Sequence, residues 1–514
     1  MLFNSLTFIL GFLPVVLAGF YFLTSNGRPR FAAIWLTLAS LVFYGWWNPL
    51  YVPLLVGSVT LNFLLGGYLI RHPSRLALTL GVAANLGLLG YYKYTGFLLG
   101  SLDQAFALNW QVEDILLPLA ISFFTFQQIA YLVDARDGEV QEHDFVHYCL
   151  FITFFPQLIA GPITHHGEML AQFRERTTFR PRLGALSIGA TIFVLGLFKK
   201  VVIADPLGET ASPVFAVAAA GSIPSLYDAW IAALTYTLQI YFDFSGYSDM
   251  AIGLGLLFGV RLPTNFDSPF KARNVIEYWS RWHMTLTRFL TAYIYNPVML
   301  RVTRARLAAG KPQPRRGKMT PGAFFALVAY PTVLTMFISG VWHGAGWQFV
   351  VFGLLHGFYL VVAHGWRAYK ARRGWKLDSE HPLHRTLAVL LTFGCVVVAM
   401  VFFRAADVPA ALAILSGMLG LSPDPADLTR ADGSSFLMIA LLLAFVWTLP
   451  NLQQWMKAYD TALHARPRPH WLQRLPALHW RPTPALGAVV GVLGFFALAL
   501  AFSVAPTEFL YFQF

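Results

Sequence analysis

A histidine stands at the centre of a long apolar stretch, MFISGVWHGAGWQFVVFGLLHGFYL, over residues 336–360. Imidazole changes its charge near neutral pH and is costly to place in hydrocarbon, so a histidine in such a stretch is a candidate for proton transfer. We take His343 as the first candidate for a general base, with a pore-lining or packing role as the alternative. Gly340 permits a close helix contact, and Trp342 and Trp347 are expected to form rigid walls. The same reasoning gives His356 a structural role.

A second histidine, His283, belongs to a segment whose spacing predicts one amphipathic helix over residues 274–290. Asn274 followed by Glu277 resembles a capping box at its start. Apolar side chains fall on one face at helical spacing: Trp279, Trp282, Leu286, Phe289 and Leu290. Polar side chains fall opposite them: Arg281, Thr285 and Arg288. His283 lies at the seam, and either a chemical or a structural interfacial role fits that position.

Two carboxylates, Asp243 and Asp249, interrupt the apolar run Tyr241 to Asp249. Buried carboxylates need partners, so a structural ion pair is favoured over catalysis. The expected cations are downstream basic residues: Arg261, Lys271, Arg273 or Arg281.

Other chemistries lack their motifs in this sequence. There is no GxSxG, HExxH or GxxxxGK[ST] run. The histidine pairs at 143 and 147, and at 165 and 166, are loop or helix-end residues without a carboxylate or cysteine set that would make a strong metal site, so no metal site is expected. Cys149 and Cys395 share no CxxC spacing and are assigned to packing.

The composition requires a membrane to position these residues. The 514 residues are 57% hydrophobic and only 12% charged, with a mean hydropathy of +0.57, whereas a soluble domain carries about 25% charged residues. We therefore predict an all-α, polytopic integral membrane protein with about 10–12 transmembrane helices plus re-entrant and amphipathic helices. Candidate spans lie near residues 5–23, 31–47, 50–70, 76–100, 114–133, 183–203, 228–260, 322–343, 346–366, 384–404, 435–450 and 484–504. Prolines break the segment 145–161, which is either re-entrant or a full span.

The net charge of +12 predicts the orientation. Loops 301–318 and 367–376 are rich in Arg and Lys and are expected in the cytosol, while the acidic loop 407–432 and both termini face outward. His343 then lies at the turn of a hairpin that enters from the cytosol. It is either at mid-depth or displaced towards the outer face, where a donor from one side could meet an acceptor from the other.

Several of these motifs together resemble the membrane-bound O-acyltransferase (MBOAT) family, in particular its bacterial alginate O-acetyltransferase branch. They are Arg281-Trp282-His283, Ser339 to Gly344, Tyr241 to Asp249, Phe155-Pro156-Gln157 with Ala160-Gly161-Pro162, Leu116-Leu117-Pro118, Ile121 to Phe126 and the closing Phe509 to Phe514. The resemblance extends over nearly the whole chain. It departs from the branch at residues 291–300, where alginate-type relatives usually carry Arg-Asp and Gly-Gly pairs.

The resemblance implies a single MBOAT domain over residues 1–514, with a core over 114–366 and C-terminal helices over 384–514. It also implies that His343 and His283 are catalytic, with no metal and no bound cofactor. Candidates for binding the donor or substrate are Trp342, Asn296, Arg281, Arg288 and Asp243. His283, Trp342 and Asn296 are also candidate hydrogen-bond donors to a reacting carbonyl.

The implied reaction is transfer of an acyl group, acetyl above all, from acetyl-CoA or another cytosolic thioester to an extracytoplasmic polysaccharide of the alginate type. A multi-pass protein of the bacterial inner membrane is expected, in contact with the lipid bilayer and with a periplasmic SGNH-type acetyltransferase, and without nucleic acid. Peptidoglycan, teichoic acid, lipid or protein remain alternative acceptors. A polytopic transporter is the alternative from another class.

Overall fold

The computed structural model describes residues 1–108, 110, 115–140, 142–175, 177–179, 183–311, 314, 319–376, 381–422, 433–467, 473, 479–503, 507 and 509–510. Within these ranges the chain is helical, without a β-strand, and one isolated bridge joins Pro263 and Leu463. A helix satisfies its backbone N–H and C=O groups internally, as a segment in hydrocarbon must. The predicted all-α class is therefore confirmed. Parts of the basic loop 301–318, of the acidic loop 407–432 and of the closing segment lie outside the described residues.

Among the described residues, seven helices have both the length and the apolar composition to cross a membrane. They are Thr7–Ser25, Pro49–Arg71, Leu183–Ala219, Pro321–His343, Trp347–Arg373, Pro382–Arg404 and Pro484–Ser503. Three shorter apolar helices accompany them: Pro29–Gly45, Val408–Met418 and Gly433–Thr448. A multi-pass membrane protein follows from this composition.

The other α-helices differ in length and polarity. They are Arg75–Leu89, Thr95–Phe106, Ile121–Asp137, Phe145–Thr153, Phe155–Leu158, His166–Arg174, Leu226–Leu257, Val275–Trp279, Met284–Leu290, Asn296–Ala308 and Leu452–Trp455. Phe154 interrupts the helix in the segment 145–161, just before Pro156, and so bears out the predicted break. The predicted span 114–133 instead begins as a helix at Ile121.

The chain forms two compact units, each built from separate stretches of sequence. The first unit comprises Met1–Val202, Asp243–Thr264 and Leu452–Gln513. The second comprises Ile203–Phe242, Asn265–Asn451 and the last residue. The predicted core over residues 114–366 contributes to both units, and a single domain stays a prediction.

Candidate functional site

His343 is the last residue of the helix Tyr330–His343 in the second unit. Gly344 continues in extended conformation, and the next helix begins at Trp347. The histidine therefore lies at the turn of a helical hairpin, as the charge pattern predicts. Only 3% of its surface is exposed.

Two glycines allow the helices of this hairpin to pack closely. A Cβ atom on Gly340 would lie 2.8 Å from the Cα atom of Gly353, well inside normal contact distance. The glycines thus hold the turn that carries His343 against the following helix. Trp342 is buried at 4% exposure, but Trp347 is 58% exposed, so its predicted role as a wall is wrong. It is the first residue of its helix.

Aromatic rings surround His343 on several sides. Its ring centroid lies 5.0 Å from that of Trp342, 5.2 Å from Phe403 and 5.7 Å from Phe352. The His283 ring lies 6.5 Å away, and also 6.2 Å from Trp342. The fold thus brings together both histidines and the tryptophan that the sequence singles out.

The predicted single helix over residues 274–290 is wrong. The structure has two short helices, Val275–Trp279 and Met284–Leu290, and His283 between them adopts the left-handed conformation with φ 43°. Hydrogen bonding to the upstream chain explains the break, because the Met284 N–H donates to the Asn265 carbonyl at 2.9 Å. The apolar side chains of this segment are nevertheless buried as predicted.

Asn265 holds His283 in one tautomer. Its Oδ1 atom accepts the Thr285 backbone N–H at 3.3 Å and the Thr285 hydroxyl at 2.9 Å. A backbone N–H can only donate, so this atom is the amide oxygen, and His283 Nδ1, 3.1 Å away, must donate to it. The lone pair of neutral His283 then lies on Nε2. The sequence carries no signal for Asn265, which precedes His283 by 18 residues.

Burial keeps His283 neutral. The side chain is completely buried, and this desolvation lowers the pKa of His283 to about 3. A neutral ring that already donates through Nδ1 can accept a hydrogen bond at Nε2 but cannot donate one there. The expectation that His283 donates to a reacting carbonyl is therefore not compatible with this tautomer, whereas the indole N–H of Trp342 can only donate.

Arg281 is engaged by two carboxylates. Its guanidinium contacts Glu277 Oε1 at 2.7 Å and Asp267 Oδ2 at 3.3 Å. Asn274 caps the helix as predicted, since its Oδ1 accepts the Glu277 N–H at 2.9 Å. The Glu277 carboxylate accepts a hydrogen bond from the Arg273 N–H at 2.8 Å. In a full capping box it would instead accept one from the N–H of the cap residue, Asn274. These contacts give Arg281 a role in holding the turn before His283.

The remaining candidates lie in different surroundings. Asn296 is exposed at the start of its helix, which does not suit a donor in an enclosed site, and Arg288 is half-buried. Asp243 belongs to the first unit, where its Oδ1 lies 2.7 Å from Lys200 Nζ and its Oδ2 accepts the Leu510 N–H at 3.1 Å.

The cations predicted for the two buried aspartates are wrong. Asp243 pairs with Lys200, and Asp249 pairs with Lys199 at 2.6 Å. Both lysines belong to the π-helical turn Lys199–Ala204. The prediction considered only basic residues that follow the aspartates, whereas both partners precede them. The favoured assignment of a structural ion pair is in keeping with these contacts.

His356 has a hydrogen-bonding arrangement that its sequence context does not reveal. It is fully buried, and its Nδ1 accepts the Trp279 indole N–H at 3.2 Å, so the ring proton is on Nε2. Nε2 has no hydrogen-bond partner among the described residues. The Phe352 ring lies 4.7 Å from His356 and 5.7 Å from His343. A buried donor without a partner is costly and points to a bound water or substrate atom.

A polar cleft of about 410 Å³ lies beside the short helix Val275–Trp279. Its lining residues are Arg273, Asn274, Ile276, Glu277, Ser280 and Arg367. Two guanidinium groups at its wall suit an anionic ligand such as a phosphate.

Comparison of the chain with known proteins identifies its relatives. A sequence model of the membrane-bound O-acyltransferase family matches residues 108–309, a range that includes His283 and stops before His343. A peptidoglycan O-acetyltransferase of Helicobacter pylori is 41% identical over 454 residues, which cover 82% of this chain and 80% of that protein. A probable alginate O-acetylase AlgI of Azotobacter vinelandii is 35% identical over 458 residues, covering 87% of this chain and 84% of that protein.

A more distant relative acts with a different acyl group. A teichoic acid D-alanyltransferase of Streptococcus thermophilus is 25% identical over 303 residues, which cover 57% of this chain and 69% of that protein. The identity and coverage of the first two relatives establish the family. This chain belongs to the membrane-bound O-acyltransferase family and is an acyltransferase.

Proposed function

We propose that the protein takes an acetyl group from a cytosolic thioester, acetyl-CoA or a similar donor, and delivers it to hydroxyl groups of an extracytoplasmic polymer. The observation that carries this proposal is the buried pair of His343 and His283, whose rings lie 6.5 Å apart in an aromatic enclosure. Peptidoglycan is our first candidate acceptor, because a relative named for that activity is 41% identical.

Alginate or a related exopolysaccharide is the second candidate acceptor. Relatives named as probable alginate O-acetylases support it at 32–35% identity. The sequence at residues 291–300 weighs against alginate, because the Arg-Asp and Gly-Gly pairs of that branch are absent there.

In the proposed reaction His343 acts as general base. It accepts the proton of the acceptor hydroxyl while that oxygen attacks the thioester carbonyl carbon. When the carbon–sulfur bond breaks, the leaving sulfur takes the proton back from His343. The Trp342 N–H is the candidate donor to the carbonyl oxygen as negative charge develops on it.

The other residues hold the donor in this scheme. His283 Nε2 accepts a hydrogen bond from an N–H of the donor, and the cleft at Arg273 and Arg367 takes its anionic groups. Arg367 lies near the end of the helix Trp347–Arg373, in a basic stretch that the positive-inside rule assigns to the cytosol, the side from which a thioester donor must come. Under this proposal an Arg367→Ala protein needs a higher donor concentration, with kcat little changed.

We further propose an inner-membrane location, because relatives are named for peptidoglycan and alginate acetylation. A periplasmic SGNH-type partner that receives the acetyl group is proposed from the family resemblance alone. These assignments extend the proposal and depend on the acceptor test that follows.

Mass spectrometry of cell-envelope polymers tests the acceptor. Muropeptides and secreted polysaccharide are compared between a wild-type strain, a deletion strain, and deletion strains carrying the wild-type or the His343→Gln protein. We expect acetyl groups to disappear from muropeptides on deletion and to return only with the wild-type protein. Loss from exopolysaccharide alone would replace peptidoglycan by the second candidate, and unchanged acetylation of both would overturn the proposal.

A donor assay separates acyl transfer from transport. Purified wild-type protein in lipid nanodiscs should release free thiol from acetyl-CoA, and His343→Gln protein should release it at least about 10²-fold more slowly. A wild-type protein without thioester turnover, despite correct folding and an added acceptor glycan, would favour the transporter alternative.

A further inference from the structure

Three metal-ligating side chains meet in the first unit, and none of them is used in the proposed reaction scheme. Asp134 is near the end of the helix Ile121–Asp137, and His165 and His166 stand at the start of the helix His166–Arg174. Asp134 Oδ2 lies 2.9 Å from His165 Nε2 and 2.8 Å from His166 Nε2. The three ligand atoms lie within 4.8 Å of one another.

The sequence conceals this cluster. The carboxylate nearest to the two histidines in the chain is Glu168, which does not complete a strong metal-binding motif with them, so no metal is expected there from the sequence. The fold supplies Asp134 from 31 residues upstream of His165. A second bond fixes the same junction, because Gln127 Nε2 donates to the Thr164 hydroxyl at 3.0 Å. The ligands thus sit on elements that are already held together.

We propose that Asp134, His165 and His166 bind a zinc ion, with water in the fourth position. Two imidazoles and one carboxylate are a common donor set for Zn²⁺ with an open position. Asp134 and His166 side chains are 8% and 3% exposed, whereas His165 is 35% exposed and leaves a route for the ion. The Tyr131 ring packs edge-on against His166 and supports its orientation.

Within the described part of this unit, other histidine–carboxylate contacts are not joined by a third ligand. His147 contacts Glu142 at 2.5 Å, and His464 contacts Glu168 at 2.7 Å. Each is a pair of one histidine and one carboxylate, for which a hydrogen bond is a sufficient explanation. The convergence of two imidazole Nε2 atoms on one carboxylate distinguishes the Asp134 cluster from them.

Zinc binding requires only small rearrangements of the cluster. Metal–ligand bonds of about 2.0–2.1 Å in a tetrahedron separate the ligand atoms by roughly 3.3 Å, so each histidine Nε2 atom moves about half an ångström away from Asp134 Oδ2. The ring proton of each histidine moves from Nε2 to Nδ1. His165 then gives up the 3.2 Å bond that its Nδ1 accepts from the Gly167 N–H, a long bond that is weak compared with coordination of zinc. The ion would link the helix Ile121–Asp137 to the loop before His166.

The test measures metal in purified protein after loading with zinc chloride and gel filtration in detergent. Elemental analysis should find about one zinc ion per wild-type chain and less than about one tenth of that in Asp134→Asn and His165→Ala proteins. Asp134→Asn preserves a hydrogen-bond acceptor of the same shape and removes the charge that zinc requires. His464→Ala is the matched control, because it removes a histidine–carboxylate pair without touching the cluster, and it should retain the ion.

Thermal unfolding supplies a readout that does not depend on activity. Removal of zinc with a chelator should lower the melting temperature of the wild-type protein, and returned zinc should restore it. The Asp134→Asn protein should respond to neither treatment. Equal zinc content in wild-type and Asp134→Asn proteins, or a wild-type melting temperature that ignores zinc, would overturn the proposal. Stoichiometric iron or manganese lost in the same two variants would support the site and change the ion.

Discussion

Replacing Asn265 by aspartate should give the enzyme a new dependence on pH. In the wild-type protein, burial lowers the pKa of His283 to about 3, so the ring is neutral throughout the physiological range. The variant keeps the Oδ1 acceptor for the two Thr285 donors and for His283 Nδ1, and it adds a negative charge beside the ring. Those donors favour the ionised carboxylate. The carboxylate in turn favours the imidazolium form of His283.

The size of the effect follows from the geometry. A full charge 3.1 Å from His283 Nδ1 interacts with the imidazolium by about 5 kcal/mol at an effective dielectric constant of about 20. At 1.36 kcal/mol for each tenfold change, this moves the titration of His283 upward by about four pH units, from acid to near neutrality. Protonation then removes the Nε2 lone pair. We therefore expect the variant to lose activity below about pH 7 more steeply than the wild type does, because His283 is protonated there only in the variant.

The assay is the rate of thiol release from acetyl-CoA between pH 5 and 9, with purified protein in nanodiscs. Thr285→Val is the control, because it removes one hydrogen bond to the same Asn265 oxygen without adding charge. Its profile should keep the wild-type shape. An active Asn265→Asp protein whose profile matches that of the wild type would refute the assigned tautomer of His283 or its part in the reaction.

Three further outcomes are expected. His343→Ala should lower kcat by about 10²-fold or more, and His283→Ala should mainly raise the donor KM. The loss of kcat/KM in the double variant should be smaller than the product of the two single losses. Strict additivity of the corresponding free energies would contradict a shared site. Lys200→Met or Asp243→Asn alone should destabilise the protein by about 3–5 kcal/mol in thermal unfolding, because each single change leaves one buried charge unpaired. The double variant should be destabilised by less, and an equal loss of stability in all three variants would contradict this. Deletion of residues 509–514 should lower the melting temperature of the isolated protein, because Phe509 and Leu510 are buried; an unchanged value would contradict a structural role for this segment.

The sequence predicts the elements of this fold better than the contacts between them. Long apolar runs identify most spans, because hydrocarbon requires helices of a given length. Gly340 and His343 are also identified from the sequence, because both stand within one such apolar run. The burial of Trp279 and Trp282 also follows from periodicity alone, although the helix assumed for it is broken.

What the sequence cannot supply is the long-range hydrogen bond. Asn265 breaks the helix before Met284 and selects the tautomer of His283, yet no local pattern connects them. Lys200 pairs with Asp243, which follows it by 43 residues in the chain. Asp134 contacts His165 from a different helix. In each case both partners are visible in the sequence, but only tertiary packing decides which donor meets which acceptor.

The different settings of the two histidines explain why one of them suits the role of base. A general base works best when its pKa lies near the working pH. His283, with a pKa of about 3, would accept a full proton at a cost of about 5 kcal/mol relative to an ordinary imidazole. Its Nε2 is suited to receiving a hydrogen bond that never becomes a proton transfer. The proposed scheme therefore does not give His283 the step in which a proton is taken from a hydroxyl and returned to sulfur; it assigns that step to His343, the other histidine of the enclosure, and lets His283 fix the donor against it.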